Sequence, residues 1–444
     1  MKTENLSQIT SNRKPTDRRR FLEVLTLSGA GLLTAPHLIA GEENSQEPAS
    51  SGLPLVDSPP VLQRPTETGI TVVWAVGQPA AGRVEFGTAK DALIRTAYGD
   101  VFGQNSHHDR FLRIEIEGLK SNTRYFYRTV TRPFKFINAY NFEQGEPVYG
   151  DVFSFETAGA KKTAATFSVI NDTHNHQDTL EMLTRRLSQL GSDYTVMNGD
   201  LVNSFDNADQ AVEAALRPGG AAFATGRPML FVPGNHDYRG AWARNTGLLF
   251  PEWRQDHPDD RALGRNFVVR TGPLAMIGLD TGEDKPDIHP AWGGLARFEP
   301  YRAAQRDWLE RVLNSQEVAT APFVVAFCHI PIFTDNPDDN GGDSLEGYAL
   351  FQRQAGNLWG PLLSKHGVQS VIVAHMHRFK YDAPTPGRTW AQICGGGPGP
   401  NGDITVIHGR AEGNSLEIVV DDLHSAKELG RWTFSARKLS RRRK

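Results

Sequence analysis

The stretch MLFVPGNHDY, residues 229–238, joins a short apolar run to a turn that carries Asn235, His236 and Asp237. Four more apolar runs end on polar side chains in the same way, at Asp172-Thr173-His174, Gly199-Asp200, Cys328-His329 and His375-Met376-His377. The segments between them include 179–190 and 301–313, which place apolar residues at helical spacing. Strands that alternate with helices predict an α/β domain from about Thr166 onward.

These polar clusters are expected to meet, because ligand sites in open α/β sheets form beyond the carboxyl ends of the strands. Five clusters at five such ends would converge on one place. In an extended chain, residues two apart point the same way, so Asp172 and His174 are expected to chelate one ion. His375 and His377 repeat that spacing, so they are also expected to point the same way.

The clusters offer only oxygen and nitrogen as ligand atoms. The chain has two cysteines, Cys328 and Cys394, which excludes a thiolate zinc cluster and a disulfide scaffold. Oxygen and imidazole donors suit zinc, iron or manganese. The clusters hold enough donors for two ions, and two ions about 3.5–4 Å apart can clamp the attacking and leaving oxygens of a displacement reaction.

The composition narrows the class of protein. The chain has 444 residues, of which 39% are hydrophobic and 22% charged, as in ordinary globular proteins. This excludes a collagen, a coiled coil, a wholly disordered chain and a protein with many membrane spans. The net charge of −3 is not that of a chain built to bind nucleic acid, so no nucleic acid partner is expected.

Residues 59 to about 158 follow a different pattern, with apolar side chains at every second position. Ile70, Val72 and Trp74 share one face of a short segment, and the segment 112–116 repeats the spacing. Short strands at this density predict a small antiparallel β-sandwich. Strand-like segments return near the C-terminus, at 404–407, 416–420 and 432–434.

Residues 1–40 have the layout of an export signal, with a basic head, an apolar middle and a small residue at Ala40. The run Arg18-Arg19-Arg20-Phe21-Leu22 resembles the twin-arginine signal. The apolar part contains Glu23 and Pro36 and is a poor membrane span. We therefore expect export by the twin-arginine machinery, a periplasmic or extracellular location and no stable membrane span in the mature chain. The alternative is a basic tail before a short anchor.

Two further segments are expected to lie outside the folded domains. Residues 41–58 are rich in Ser, Glu, Gly and Pro, which predicts a flexible linker. Residues 437–444 carry six basic side chains, which predicts a solvated tail. Contact of this tail with an anionic envelope surface is the alternative.

The ordered clusters resemble the motifs of the calcineurin-like metallophosphoesterase superfamily: Asp-x-His, Gly-Asp, Gly-Asn-His-Asp, a lone His and a closing His-x-His. The strand-rich segment before them resembles the N-terminal domain of purple acid phosphatases, at Trp74, Gly118-Leu119 and Thr123-x-Tyr125-x-Tyr127. The resemblance implies a four-layer α/β/β/α metallophosphoesterase sandwich at 161–436. A small fibronectin III-like antiparallel β-sandwich at 59–160 would precede it.

The resemblance also implies a role for each matching residue. The implied ligands are divided between two ions: Asp172, His174 and His377 for one, Asn235, His329 and His375 for the other, and Asp200 as a bridge. The cofactors would be two divalent or mixed-valence ions of zinc, manganese or iron. His236 would be the catalytic residue, stabilising the phosphoryl group and helping to protonate the leaving oxygen.

Two positions depart from the family pattern. Ala374 stands where glycine is usual, and a residue this small is expected to change little. Asn203 stands where many relatives have an aspartate that orients the catalytic histidine, and where purple acid phosphatases have an iron-binding tyrosine. We therefore expect a protein that is not purple and does not enforce ferric iron. His236 would be oriented by the amide oxygen of Asn203 or by another carboxylate.

Several other residues are candidates for contacts with the substrate or behind the ligands: Asn203, His176, Asp237 and Asp280. For His176 a solvent-facing loop position is an equal alternative, and for Asp280 a turn or helix cap. The loop Asp335–Asp343 either shapes the approach to the site or is merely exposed. The run Gly395-Gly396-Gly397 lacks the Lys-Ser/Thr ending of a phosphate loop and is rejected as one.

The expected function is that of an exported dinuclear phosphatase, acting on phosphate monoesters of small molecules by attack of a metal-bound hydroxide. A phosphodiesterase or nucleotidase on the same site is the closest alternative, because diesters share the metal chemistry. A non-catalytic envelope binding module with a decayed site is another. The exported alkaline phosphatase–phosphodiesterase family is a third, but its cysteine ligand and spacing are not found in this sequence.

Overall fold

The computed structural model describes residues 52–334, 349–399 and 403–438. The predicted export signal at 1–40, most of the linker and the Asp335–Asp343 loop lie outside the described residues. Of the predicted basic tail, only the first two residues are described. The first of them, Arg437, donates hydrogen bonds to the carbonyls of Val318, Ala321 and His366, so this residue is docked rather than solvated.

The N-terminal part consists of short strands. They are β1 (Val61–Gln63), β2 (Ile70–Ala75), β3 (Ala80–Gly87), β4 (Arg95–Ala97), β5 (His107–His108), β6 (Phe111–Ile116), β7 (Arg124–Asn138), β8 (Asn141–Gln144), β9 (Val148–Tyr149) and β10 (Phe153–Glu156). Strands β1, β2 and β6 lie in one sheet, and β10, β7, β3 and β4 form the path of another. The two sheets enclose a core that contains Trp74 and Tyr127.

The rest of the chain alternates strands and helices. The strands are β11 (Ala164–Ile170), β12 (Tyr194–Asn198), β13 (Met229–Val232), β14 (Phe267–Thr271), β15 (Leu274–Gly278), β16 (Phe323–Phe327), β17 (Ser370–Val373), β18 (Lys380–Asp382), β19 (Ala391–Cys394), β20 (Thr405–Glu412), β21 (Ser415–Asp422) and β22 (Lys427–Ser435). The helices are α1 (Gln177–Leu190), α2 (Ala208–Ala211), α3 (Arg217–Ala222), α4 (Thr246–Leu249), α5 (Phe298–Asn314), α6 (Gln316–Ala319) and α7 (Ala349–Lys365). The apolar runs that precede the polar clusters are strands β11, β12, β13, β16 and β17, and the segments predicted at 404–407, 416–420 and 432–434 overlap the longer strands β20, β21 and β22.

Two sheets form the centre of this part. One has the order β22-β21-β20-β11-β12-β13-β1-β2-β6, and the other has the order β14-β15-β16-β17-β19-β18. Their facing sides share a core that includes Phe167 and Phe323. Helix α1 covers the outer face of the first sheet with Leu183, and helices α5 and α7 cover the second with Trp308 and Trp359. The layers therefore run helix, sheet, sheet, helix, which confirms the predicted four-layer fold.

The N-terminal strands continue the first of these sheets, because β1 pairs in parallel with β13 at Gln63 and Met229. All six residues of β2 are consequently buried. Trp74 faces the core of the N-terminal sandwich, whereas Val73 and Ala75 face the core beneath the helices. The sequence predicted one buried face for this segment. The described residues from 52 onward belong to one compact unit, and the domain boundary at 160/161 stays a prediction.

No helix among the described residues has the length and apolar character needed to cross a membrane.

Candidate metal centre

The polar residues that follow four of the strands meet in two adjoining clusters. Asp172, His174, Asp200 and His377 form one, and Asp200, His329 and His375 form the other. Within each cluster the candidate ligand atoms lie within 4.8 Å of one another. Asp200 belongs to both. The strands that carry these residues come from both central sheets, so the site lies where the carboxyl ends of the two sheets face each other.

Asn235 joins the second cluster through its amide. Its Oδ1 lies 2.9 Å from Nδ1 of His375, so an ion held at that nitrogen would also be reached by the amide oxygen. Asn235 follows β13 and is buried. All seven residues expected to be ligands are therefore brought together by the fold. Their assignment to individual ions stays a prediction.

The local geometry of the His and Asp motifs differs from the sequence-based expectation. Asp172, His174, His375 and His377 have φ values of 47°, 44°, 71° and 52°, in the left-handed region and not the extended one. The expectation that residues two apart point the same way along an extended chain is therefore wrong for both motifs. His375 and His377 also belong to different clusters. Such strained backbone is found where the surrounding structure and function demand it.

Two glycines allow the ligand-bearing segments to approach each other closely. A side chain at Gly199, whose φ is +86°, would overlap the ring of His329. A side chain at Gly234 would overlap the carboxylate of Asp200. Both positions therefore require a residue without a Cβ, and they let strands from the two sheets bring their ligands together.

The donor atoms fit a cation. Oδ1 of Asp172 and Nε2 of His329 are buried and make no hydrogen bond within the described part of the chain. Nε2 of His329 lies 3.2 Å from Oδ2 of Asp200, yet the contact lacks hydrogen-bond angles. Nδ1 of the same ring lies 2.8 Å from the carbonyl of Asn198, which can only accept, so Nε2 is free to ligate. Buried lone pairs that converge without partners are what a metal ion would satisfy.

The electrostatics of the cluster also favour a cation. Burial raises the pKa of Asp200, but the charge of His329 and the smaller contributions of His236 and His375 together lower it by more, and the pKa lies well below its ordinary value. Burial lowers the pKa of His329, whereas Asp200 and then Asp172 raise it to about 10. The buried carboxylates thus draw a positive charge into the site. A bound ion would take the place of that proton.

Asn203 contacts the candidate ligand His174 and also His236, but not in the predicted way. Its amide Oδ1 lies 2.9 Å from Nδ1 of His174, and its main-chain carbonyl lies 2.8 Å from Nδ1 of His236. The prediction that the side-chain amide or a carboxylate orients His236 is therefore wrong. The physical reason is that the chain turns at Asn203, which presents its carbonyl to His236 while its side chain reaches back to His174.

Removing the Asn203 amide is expected to weaken one ion and spare the orientation of His236. Asn203→Ala deletes the oxygen that holds His174 but keeps the main-chain carbonyl. The affinity of one of two ions should fall by about 10- to 100-fold, as for other partners that orient a ligand. Metal titration by calorimetry measures this, with the exposed Asn207→Ala as control. Equal weakening of both ions, or of neither, would contradict the assignment.

Asp237 and His176 have different surroundings. Asp237 is buried and accepts hydrogen bonds from the main-chain N–H groups of Gly234, Asp200 and Leu201, so it ties the two ligand-bearing turns together. Burial, followed by the charge of Asp200, raises its pKa to about 7. It has no room for substrate contact. His176 is exposed at the N-terminus of α1 and its side chain makes no capping hydrogen bond.

Some contributing residues were not singled out from the sequence. Asn171 donates from Nδ2 to Asp172 and to the carbonyl of Gly396, at 2.7 Å each. Gly397 packs so closely on His377 that an added Cβ would lie 2.7 Å from the ring. The glycine run at 395–397 thus supports the site without being a phosphate loop. Its three consecutive glycines were the only available signal.

Asp280 supports the turn that carries His236. It is fully buried and accepts hydrogen bonds from the hydroxyls of Tyr238 and Tyr301 and from the N–H of Gly282. Burial raises its pKa. It therefore fixes Tyr238, two residues after His236, and its hydrogen bond from Gly282 agrees with the turn role that was one alternative for it.

The comparisons agree with this fold and site. Residues 165–379 match the sequence model of the calcineurin-like phosphoesterase family. This part of the chain is therefore similar in sequence to calcineurin-like phosphoesterase domains. The motifs that resemble the superfamily lie within the matched residues.

Solved structures extend the likeness beyond that domain. Purple acid phosphatase PPD1 from yellow lupin (Lupinus luteus) seeds has a TM-score of 0.59 at 13% identity, covering 86% of this chain and 75% of that chain. A dimetal phosphatase from Danio rerio has a TM-score of 0.42 at 16% identity, covering 62% and 99%. The lupin comparison shows a shared fold that includes the strand-rich N-terminal part. No curated protein sequence matches the chain.

Proposed function

We propose that this protein is an exported dinuclear metal-dependent phosphatase that hydrolyses phosphate monoesters of small molecules. The observation that carries the proposal is the position of Asp200, which contributes to both ligand clusters. A carboxylate shared by two clusters of nitrogen and oxygen donors is suited to two neighbouring divalent ions. The family of the domain supports phosphoester hydrolysis as the reaction.

Each side chain of the centre has a distinct task in this proposal. Two ions would supply Lewis-acid stabilisation of phosphoryl oxygens and lower the pKa of a water molecule. Asp172, His174 and His377 hold one of them, and Asn171 fixes Asp172 by its hydrogen bond. His329 is fixed by the carbonyl of Asn198. These contacts hold the ligands in place before substrate arrives, which lowers the cost of reorganisation.

His236 is placed to transfer a proton. The carbonyl of Asn203 can only accept, so Nδ1 of His236 carries hydrogen, while Nε2 lies 3.0 Å from Nη1 of Arg239 and is the second nitrogen able to exchange a proton. The main-chain N–H of the same residue donates to Oδ1 of Asp200 at 2.8 Å, which places the imidazole beside the bridging carboxylate. In the protonated form, Nε2 can donate to the leaving oxygen.

The proposal is tested by assaying purified protein on an aryl phosphate and on a bis-aryl diester. We expect hydrolysis of the monoester after loading with zinc, manganese or iron, and none after chelation. Faster hydrolysis of the diester would favour a phosphodiesterase or nucleotidase. No hydrolysis with any metal, together with fewer than one ion per chain, would contradict the proposal and favour a binding module.

Export and metal identity are further parts of the proposal. The twin-arginine-like run at 18–22 supports export to the periplasm or beyond. Asn203 offers no phenolate to iron, since its side chain is an amide that contacts His174. We therefore propose that the protein is not purple and that zinc, manganese or iron is accepted without enforcement of the ferric state.

A further inference from the structure

One cationic side chain lies beside His236. Arg239 follows the 3₁₀ turn His236–Tyr238, and its main-chain N–H donates to the carbonyl of His236 at 3.0 Å. Its Nη1 lies 3.0 Å from Nε2 and 3.3 Å from Nδ1 of the His236 ring. The guanidinium is thus packed against the imidazole at Nε2, the ring nitrogen that does not contact the carbonyl of Asn203.

Two carboxylates hold this guanidinium in position. Nε donates to Oε2 of Glu283 at 3.1 Å, and Nη2 donates to Oε1 of Glu283 at 2.6 Å and to Oδ1 of Asp284 at 3.1 Å. The side chain of Glu283 is fully buried. Three of the five N–H groups are therefore occupied on the side away from His236. A guanidinium anchored in this way loses little conformational entropy when it binds a ligand through its other N–H groups.

The other two hydrogens belong to Nη1, on the His236 side, where one can be donated to Nε2 of His236 and the other is the one offered to a ligand. Within the described residues, His236 is the contact recorded for that nitrogen. Burial lowers the pKa of Arg239, but the hydrogen bond and charge of Glu283, followed by Asp284 and Asp200, raise it above its ordinary value. The group therefore stays charged, and Asp200, the residue common to both clusters, lies within its electrostatic reach.

The geometry points to Arg239 as a substrate-binding residue that takes a phosphoryl oxygen together with His236 and favours dianionic monoesters over monoanionic diesters. This inference rests on the proposed function, since it names the substrate preference of the same site. An additional fixed cation attracts a dianion more strongly than a monoanion, and a guanidinium recognises phosphate oxygens in its own plane. A monoester also offers one more unesterified oxygen than a diester.

The test compares Arg239→Gln and Arg239→Lys with wild type on an aryl monoester and a bis-aryl diester. Arg186→Gln is the matched control, because Arg186 is similarly exposed (33% against 26%) and pairs with Asp421. Arg239→Gln should lower kcat/KM for the monoester by about 100-fold, the effect of losing one donor to a transition-state oxyanion, and for the diester by much less. Arg239→Lys retains the charge and should restore part of the preference. The Lys variant also remains informative if the Gln variant, which removes the guanidinium from the buried Glu283, does not fold.

A binding measurement makes the test independent of turnover. Inorganic phosphate, titrated into metal-loaded protein by calorimetry, should bind about 10-fold more weakly to Arg239→Gln than to wild type or Arg186→Gln. The ions per chain should be unchanged. Equal losses on both substrates, or an unchanged phosphate Kd, would overturn the inference while leaving the proposed phosphatase intact. A wild type that binds phosphate through Arg239 but hydrolyses neither ester would instead overturn the proposed function.

Discussion

Asp200→Asn is expected to empty the centre of both ions and to lower hydrolysis by at least about 100-fold, more than the loss of a residue that only orients a ligand. The variant is nearly isosteric. Its amide oxygen can keep the hydrogen bond from the N–H of His236 at Oδ1, which turns the amide NH₂ toward Nε2 of His329. A donor then faces the space where an ion would lie.

Elemental analysis of the dialysed variant measures this expectation. We expect two ions per chain in wild type and fewer than one in Asp200→Asn. Asp91→Asn, which removes an exposed carboxylate of the N-terminal part, serves as the control and should keep both ions. Retention of one tightly held ion in Asp200→Asn would mean that Asp200 is not shared between two sites.

His236→Ala is expected to have the opposite pattern, with both ions retained and turnover reduced by about 10²- to 10⁴-fold, the usual contribution of a positioned proton donor. The imidazole contacts the carbonyl of Asn203 and the guanidinium of Arg239. Neither ligand cluster includes this ring, which packs edge-on against His174 with 4.8 Å between the ring centroids. The substitution should therefore lower kcat and leave the metal content unchanged.

The kinetic signature distinguishes this role from a structural one. The loss in His236→Ala should be smaller for a substrate whose leaving group is a weak base and needs no proton. His424→Ala, which removes an exposed imidazole, is the matched control and should behave as wild type. Equal losses of turnover on esters with good and poor leaving groups would show that His236 does not transfer a proton.

The sequence predicted the site well because its ligands follow apolar runs. Each of the runs before Asp172, Asp200, Asn235, His329 and His375 is a strand, as predicted. Strand ends in the packed sheets converge on one place, so the closeness of the ligands could be predicted from the order of the motifs. The backbone conformation of the ligands could not be predicted, since nothing in Asp-x-His or His-x-His indicates a left-handed φ.

What the sequence missed depends on contacts between distant segments. The pairing of β1 with β13 buries both faces of β2, although alternation of apolar residues predicts one buried face. Asn203 has two polar groups, and only the fold shows which of them reaches His236. Arg239 resembles any surface arginine until Glu283, which is 44 residues away, is seen to hold it.

The most direct test of the centre is anomalous diffraction from crystals of the protein loaded with zinc or manganese. The account predicts two peaks about 3.5–4 Å apart, on either side of the Asp200 carboxylate. One should lie against His174 and His377, and the other against His329 and His375. A single peak, or two peaks that do not share Asp200, would contradict the dinuclear centre.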